Sequence, residues 1–129
     1  MVREEVALAG FVECLNFVLC SVHEVTDLLN RKSHDEIVMI SNSKSAEFEC
    51  ARTTLITPIL KTLKSNATSK LPIQLFEVAD VVIKGVKSAE DGWVEGEGKV
   101  GCINRRRLCA VVSDHSSSGL DVLQIYIYI

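Results

Sequence analysis

Leu71 to Ile83 is the strongest strand pattern in this chain, rich in Val and Ile and entered through Pro72. Branched side chains suit a pleated, covered surface, and proline is tolerated where a strand begins. Arg105 to Val112 reads as the return strand. Between them, Gly85 to Gly101 is an acidic stretch holding five of the seven glycines, the composition of a long hairpin loop. The chain must therefore build a sheet around a late hairpin.

Other segments add helices and shorter strands. Val2, Val6 and Ala9 fall at helical spacing, Glu4 and Glu5 suit the positive end of the dipole, and Gly10 can stop the helix. Phe11 to Cys20 predicts a strand apolar on both faces, covered by core on one side and a layer or partner on the other. Glu13 and Asn16 within it need hydrogen-bond partners. Ser21-Val22-His23-Glu24 is a capping box opening a helix that should bury Val25, Leu28 and Leu29 and end near Asn30-Arg31-Lys32. Ile37-Val38-Met39-Ile40 predicts a short buried strand, followed by a polar turn at Ser41-Asn42-Ser43. Leu55, Ile56, Ile59, Leu60 and Leu63 form a helical stripe with Pro58 in its first turn. Ser113 to Gly119 is another polar turn, and Gln124 to Ile129 is a strand-like Ile/Tyr string. This order argues for one α+β (mixed α/β) domain on a largely antiparallel sheet.

With 129 residues, 47% of them hydrophobic, and a net charge of −3, the chain is large enough for one core and is not a phosphate-coating basic protein. Met1 to Glu5 is followed by no apolar signal run, and no stretch approaches the roughly 18–20 apolar residues of a membrane span. The odd set Cys14, Cys20, Cys50, Cys102 and Cys109 suits buried thiols in a reducing cytosol rather than a disulfide framework.

No motif makes a self-sufficient active site. Gly96-Glu97-Gly98-Lys99-Val100-Gly101 spells G-x-G-x-x-G, but a dinucleotide fingerprint needs a strand before it and a helix after it; here an acidic loop precedes and a strand follows. Asn104-Arg105-Arg106-Arg107 is the only basic run. On a strand Arg106 points away from Arg105 and Arg107, so a solvated sheet edge or a salt bridge outweighs RNA contact. Cys20-x-x-His23, with His34 and His115 distant, falls short of a zinc site. Ser113-Asp114-His115-Ser116 holds the residue types of a hydrolase triad, but sequence neighbours cannot adopt its geometry. Arg52 reads as a buried structural arginine paired with Glu47 or Glu49, in preference to a ligand contact. Lys44–Glu47 and Lys87–Glu90 repeat one tetrapeptide by coincidence, since their neighbourhoods differ.

The combination of segments nevertheless resembles one family. Gly10-Phe11-Val12-Glu13-Cys14-Leu15-Asn16-Phe17 with Leu19-Cys20-Ser21, then Ile40-Ser41-Asn42, Ala46-Glu47-Phe48 and Ala51-Arg52-Thr53-Thr54-Leu55, are similar to the synthetase-like core module of phenylalanine–tRNA ligase β subunits of the cytosolic eukaryotic type. Leu60-Lys61-Thr62, Pro72-Ile73-Gln74-Leu75-Phe76-Glu77-Val78-Ala79-Asp80-Val81-Val82 and Asn104-Arg105-Arg106-Arg107-Leu108-Cys109-Ala110 extend the match across Arg3 to Leu123. Two departures stand out: the family usually has Asn-Pro at Asn42-Ser43 and Pro-Gly at Thr57-Pro58.

The resemblance implies a class II synthetase-like α+β fold, mainly an antiparallel sheet flanked by helices and incomplete at its C-terminal end. Residues 1–123 would form the truncated core module. Gly119-Leu120-Asp121-Val122-Leu123 would begin the family's next helix, and residues 124–129 would be a foreign Ile/Tyr tail. The first helix and strand would correspond to an interface motif. The hairpin strands would correspond to those that grip ATP and the amino acid in active synthetases. The implied role is a non-catalytic scaffold for the catalytic α subunit in a cytoplasmic α2β2 assembly, with tRNA reached through the complex and no membrane. No catalytic, cofactor-binding or metal-ligating residue is expected in this chain, and ATP and magnesium are implied for the whole complex. The alternative is a free-standing RNA- or protein-binding module that reuses the fold without a ligase role.

Overall fold

The computed structural model describes residues 2–32, 36–84, 102–115 and 120–126. The chain falls into two compact units. One comprises Met1–Phe17, Thr54–Asp80 and Arg106–Ile129; the other Val18–Thr53 and Val81–Arg105. The expected Gly85–Gly101 loop, His34, Lys87–Glu90, Ser116–Gly119 and Ile127–Ile129 lie outside the described residues.

In the first unit, α1 (Val2–Leu8) ends where glycine permits. Gly10 sits at φ 96°. Its N–H bonds the Ala7 carbonyl at 3.0 Å and the Phe11 N–H bonds that of Val6 at 3.3 Å, the paired closing bonds of a Schellman turn. Val6 and Phe11, bracketing that turn, both pack on the core formed by Phe76, Val78 and Leu108. β1 (Val12–Glu13) then pairs in parallel with β4 (Ile73–Lys84), Val12 opposite Leu75 and Glu13 opposite Phe76.

Four strands form the main sheet in the order β1-β4-β5-β6, with β5 at Cys102–Ser113 and β6 at Leu120–Tyr126. β5 and β6 run antiparallel from Arg107 opposite Tyr126 to Ser113 opposite Leu120. The helix expected over Leu120–Leu123 is thus a strand, continuous with Gln124–Tyr126. The ladder with β5 takes up Leu120–Leu123 together with the strand-forming residues that follow them. α3 (Ile56–Ser65) buries Leu55 and Ile59 of the expected stripe. Pro58 is its third residue, where it forfeits no intrahelical bond; the first such bond runs from the Ile59 N–H to Leu55 at 3.2 Å. The displaced proline therefore leaves the first turn intact.

In the second unit, β2 (Leu19–Cys20) pairs antiparallel with β3 (Cys50–Ala51). The Ser21 capping box forms as expected, its hydroxyl accepting from the Glu24 N–H while Glu24 accepts from the Ser21 N–H. The helix it opens, α2 (Val22–Val25), is shorter than expected. Thr26 explains the break: its hydroxyl bonds the Val22 carbonyl at 2.8 Å and its own carbonyl accepts from Leu29 and Arg31. The chain continues as a 3₁₀ turn, Asp27–Leu29, closed by Asn30 at φ 52°, and Leu28 stays exposed. Ile37–Ile40 is likewise no regular strand. Met39 makes a lone bridge to Cys50, and only Ile37 of the four is buried. Ile37 joins Cys20, Val25 and Cys50 in this unit's core.

Candidate functional site

The predicted strand from Phe11 to Cys20 is the largest departure, and its cause lies at its centre. After β1 the Cys14 N–H still bonds the Phe76 carbonyl at 2.7 Å. Residues 15–18 then leave regular pairing. Asn16 turns inward: its Nδ2 donates to Glu77 Oε2 at 2.7 Å, its backbone N–H lies 3.4 Å from Glu77 Oε1, and its Oδ1 accepts from the Thr62 hydroxyl. Glu77, only 1% exposed, is a carboxylate on β4 inside the core, where a polar group is costly without partners. The partner demanded by Asn16 in the sequence is Glu77. Glu13 finds Arg3 Nε at 2.9 Å, and Arg3 also donates to the Val78 carbonyl at 2.6 Å.

On either side of Asn16, Leu15 and Phe17 face outward, 86% and 80% exposed. The expectation of a continuous strand from Phe11 to Cys20 is corrected: residues 14–18 are irregular, and Leu15 and Phe17 are exposed in the chain.

Sequence reasoning passed over Glu77 and Thr62. The available signal was a carboxylate alone in the run Leu75–Val78. Cys14 and Cys109 also belong to this neighbourhood. Burial, then the negative charge of Glu77, raises both thiols above the usual 9.0, Cys109 to about 11. In the other unit Cys20 and Cys50 face each other with sulfurs 3.8 Å apart, and Cys50 donates to the Cys20 carbonyl at 3.3 Å. Burial again dominates in raising the Cys50 thiol, partly offset by its bond to Cys20 and reinforced by Glu49 and Glu24. Cys14, Cys20, Cys50 and Cys109 are buried free thiols, as the sequence suggested; Cys102 is intermediate in exposure.

Chain-wide comparison decides the family. Residues 1–121 match the description "Phenylalanyl tRNA synthetase beta chain CLM domain". The chain belongs to this family. It is 43% identical to the human phenylalanine–tRNA ligase beta subunit over 86% of its own length and 17% of that protein, and 41% identical to the Drosophila melanogaster one over 94% and 19%. It thus spans less than a fifth of these relatives. In fold it is similar to the pyrrolysyl-tRNA synthetase PylSc of Desulfitobacterium hafniense (TM-score 0.64, 11% identity, 90% of this chain and 37% of that one). It is also similar to an ATP phosphoribosyltransferase regulatory subunit/histidyl-tRNA synthetase from Bacillus halodurans (TM-score 0.59, 15% identity, 90% and 27%). The fold is the α+β, class II synthetase-like one, with antiparallel pairing dominant.

On the hairpin strands of this CLM domain, Asp80, Arg106 and Arg107 make bonds within the chain. Arg106 Nε lies 2.6 Å from Asp80 Oδ1 and its Nη2 donates to Oδ2 at 3.2 Å. Arg107 is 4% exposed and donates to the Arg106 carbonyl at 3.2 Å. The basic run is thus not a solvated edge: β5 lies between β4 and β6, and a salt bridge is the reading that holds for Arg106. Arg52 is buried as expected, with its backbone N–H on Val18 at 2.8 Å and its carbonyl accepting from Val82 at 2.9 Å. Glu49, one of its expected partners, accepts from the Val22 N–H at 2.8 Å. His23 pairs with Asp27 at 2.8 Å rather than with Cys20. At His115 it is the backbone N–H, not the ring, that bonds Asp114. Among the described residues no group of three or more His, Cys, Asp or Glu could hold a metal, and no helix is long and apolar enough to cross a membrane.

Proposed function

We propose that this CLM domain is a non-catalytic scaffold of a phenylalanine–tRNA ligase β subunit, docking the catalytic α subunit in a cytoplasmic α2β2 assembly. On this reading the α subunit binds ATP, magnesium and phenylalanine and forms the aminoacyl ester. tRNA reaches the present module only through the complex. The observation that carries the reading is the outward pair Leu15 and Phe17, on the segment that the family resemblance aligns with an interface motif. The internally paired Glu77, Arg106 and Arg107 support a structural rather than a catalytic hairpin.

Co-expression with the matching α subunit, resolved by size, tests it. A stoichiometric complex is expected, and Leu15→Asp with Phe17→Asp should abolish it, because a charge cannot be accommodated in an apolar contact. An α subunit that elutes alone beside a folded wild-type chain would overturn the proposal.

A further inference from the structure

We infer that Asn16, Glu77 and Thr62 form a positioning clamp that presets Leu15 and Phe17 for docking into an apolar pocket of the partner subunit. The inference rests on the scaffold reading above. It assigns a role to three residues that make no contact with the partner themselves.

The network joins three parts of one compact unit: Thr62 on α3, Asn16 on the irregular segment, and Glu77 on β4. Every polar group of Asn16 that could choose an orientation has that choice removed. The amide nitrogen and the backbone N–H both address the Glu77 carboxylate, and the amide oxygen accepts from Thr62. The Thr62 hydroxyl has two acceptors within reach, Asn16 Oδ1 and, farther off, the Pro58 carbonyl at 3.2 Å. With the middle residue held by side chain and backbone, its two neighbours are turned to the opposite side, where the structure finds them exposed.

Stability alone does not call for this arrangement. A buried carboxylate can often be replaced by a well-packed apolar residue at no loss, so its use here points to specificity of conformation. Outside regular pairing, residues 15–18 would otherwise sample many backbone states. Ordering them before association removes an entropy cost from binding. The occupant is a partner chain because the relatives are named as beta subunits, which implies another subunit to meet.

The test measures the affinity of the full chain for the α subunit, at a temperature where circular dichroism shows each variant folded. Asn16→Asp sets two carboxylates against each other and should weaken association by about tenfold, the scale of one lost charged hydrogen bond. Asn16→Asp with Glu77→Gln rebuilds the network with donor and acceptor exchanged, and should recover wild-type affinity within about twofold. In a Leu15→Ala, Phe17→Ala background, Asn16→Asp should have no further effect. Should Asn16→Asp fail to fold, Thr62→Val removes one bond and should weaken association by about threefold. If the Leu15/Phe17 variant binds like wild type, the docking reading itself falls. If it binds weakly while the clamp variants are neutral, or reduce affinity equally in both backgrounds, the scaffold reading stands and the clamp is overturned.

Discussion

Residues 11–20 and 73–84 are both largely apolar runs with a polar residue near the centre, Asn16 in one and Glu77 in the other, and they fold differently. Residues 73–84 form a continuous strand, β4. Residues 11–20 pair with β4 for two positions, leave that ladder, and at Leu19 join a different strand, β3. The polar residues, Glu77 in one and Asn16 in the other, bond each other, so chemistry at the centre does not separate the two. Neighbours do. β4 lies between β1 and β5 and is paired on both sides, whereas β1 has only β4. An apolar run becomes a long strand when flanking strands satisfy its backbone; with one flank, a single side-chain demand such as that of Asn16 can pull it out of register.

Matched substitutions test this contrast. Phe76→Ala in β4 should cost about 3–5 kcal/mol, the range for a buried phenylalanine, whereas Phe17→Ala should stay within about 0.5 kcal/mol. Urea unfolding of the two variants decides it, and similar losses would erase the distinction between core and display. Next in size, Glu77→Ala should cost about 3 kcal/mol, because it removes the acceptor of the Asn16 amide N–H and opens a cavity. Asn16→Ala should cost nearly as much, since it leaves the Glu77 carboxylate buried. A large gap between the two would mean that the carboxylate has its main partner elsewhere.

The thiols beside Glu77 give a pH-dependent version. Cys109 is raised to about 11 in the folded chain, so between about pH 9 and 11 the folded state holds a proton that the unfolded state has lost. Stability is full below pH 9 and falls as pH rises through that window, by about 2 kcal/mol from this group. Cys109→Ala should flatten the fall relative to wild type. An identical slope would show that the site does not hold its thiol protonated.

The hairpin strands, α1 with its glycine stop, the capping box, the first turn of α3 and the family are legible in the sequence, whose local signals suffice for them. Each is written in contiguous residues: branched runs, Gly10, Ser21 with Glu24, Pro58. What escaped it depended on partners far away in sequence. Thr26 ends α2 through bonds that compete with the helix. Leu120–Tyr126 pairs with β5 although its first residues resemble a helix start. Arg106 and Arg107 are drawn in by Asp80 and by burial, which a run of three arginines does not disclose. For the candidate site, the need of Asn16 was legible, but Glu77 and Thr62 lie 61 and 46 residues away.

Gly10 supplies the smallest and most local test of how the exposed segment is launched. At φ 96° any L side chain is strained, and a Cβ there would also come within 3.3 Å of Gln74 Oε1. That oxygen ends a flexible side chain, so the backbone term should dominate. Gly10→Ala should cost about 1–2 kcal/mol, and Gln74→Ala should not rescue it. Gly10→Asn should recover part of the loss, because asparagine tolerates positive φ better than alanine. Were Gln74→Ala to restore full stability, the close approach and not the turn would fix glycine here, and β1 would owe its register to the space beside Gln74 rather than to the way α1 ends.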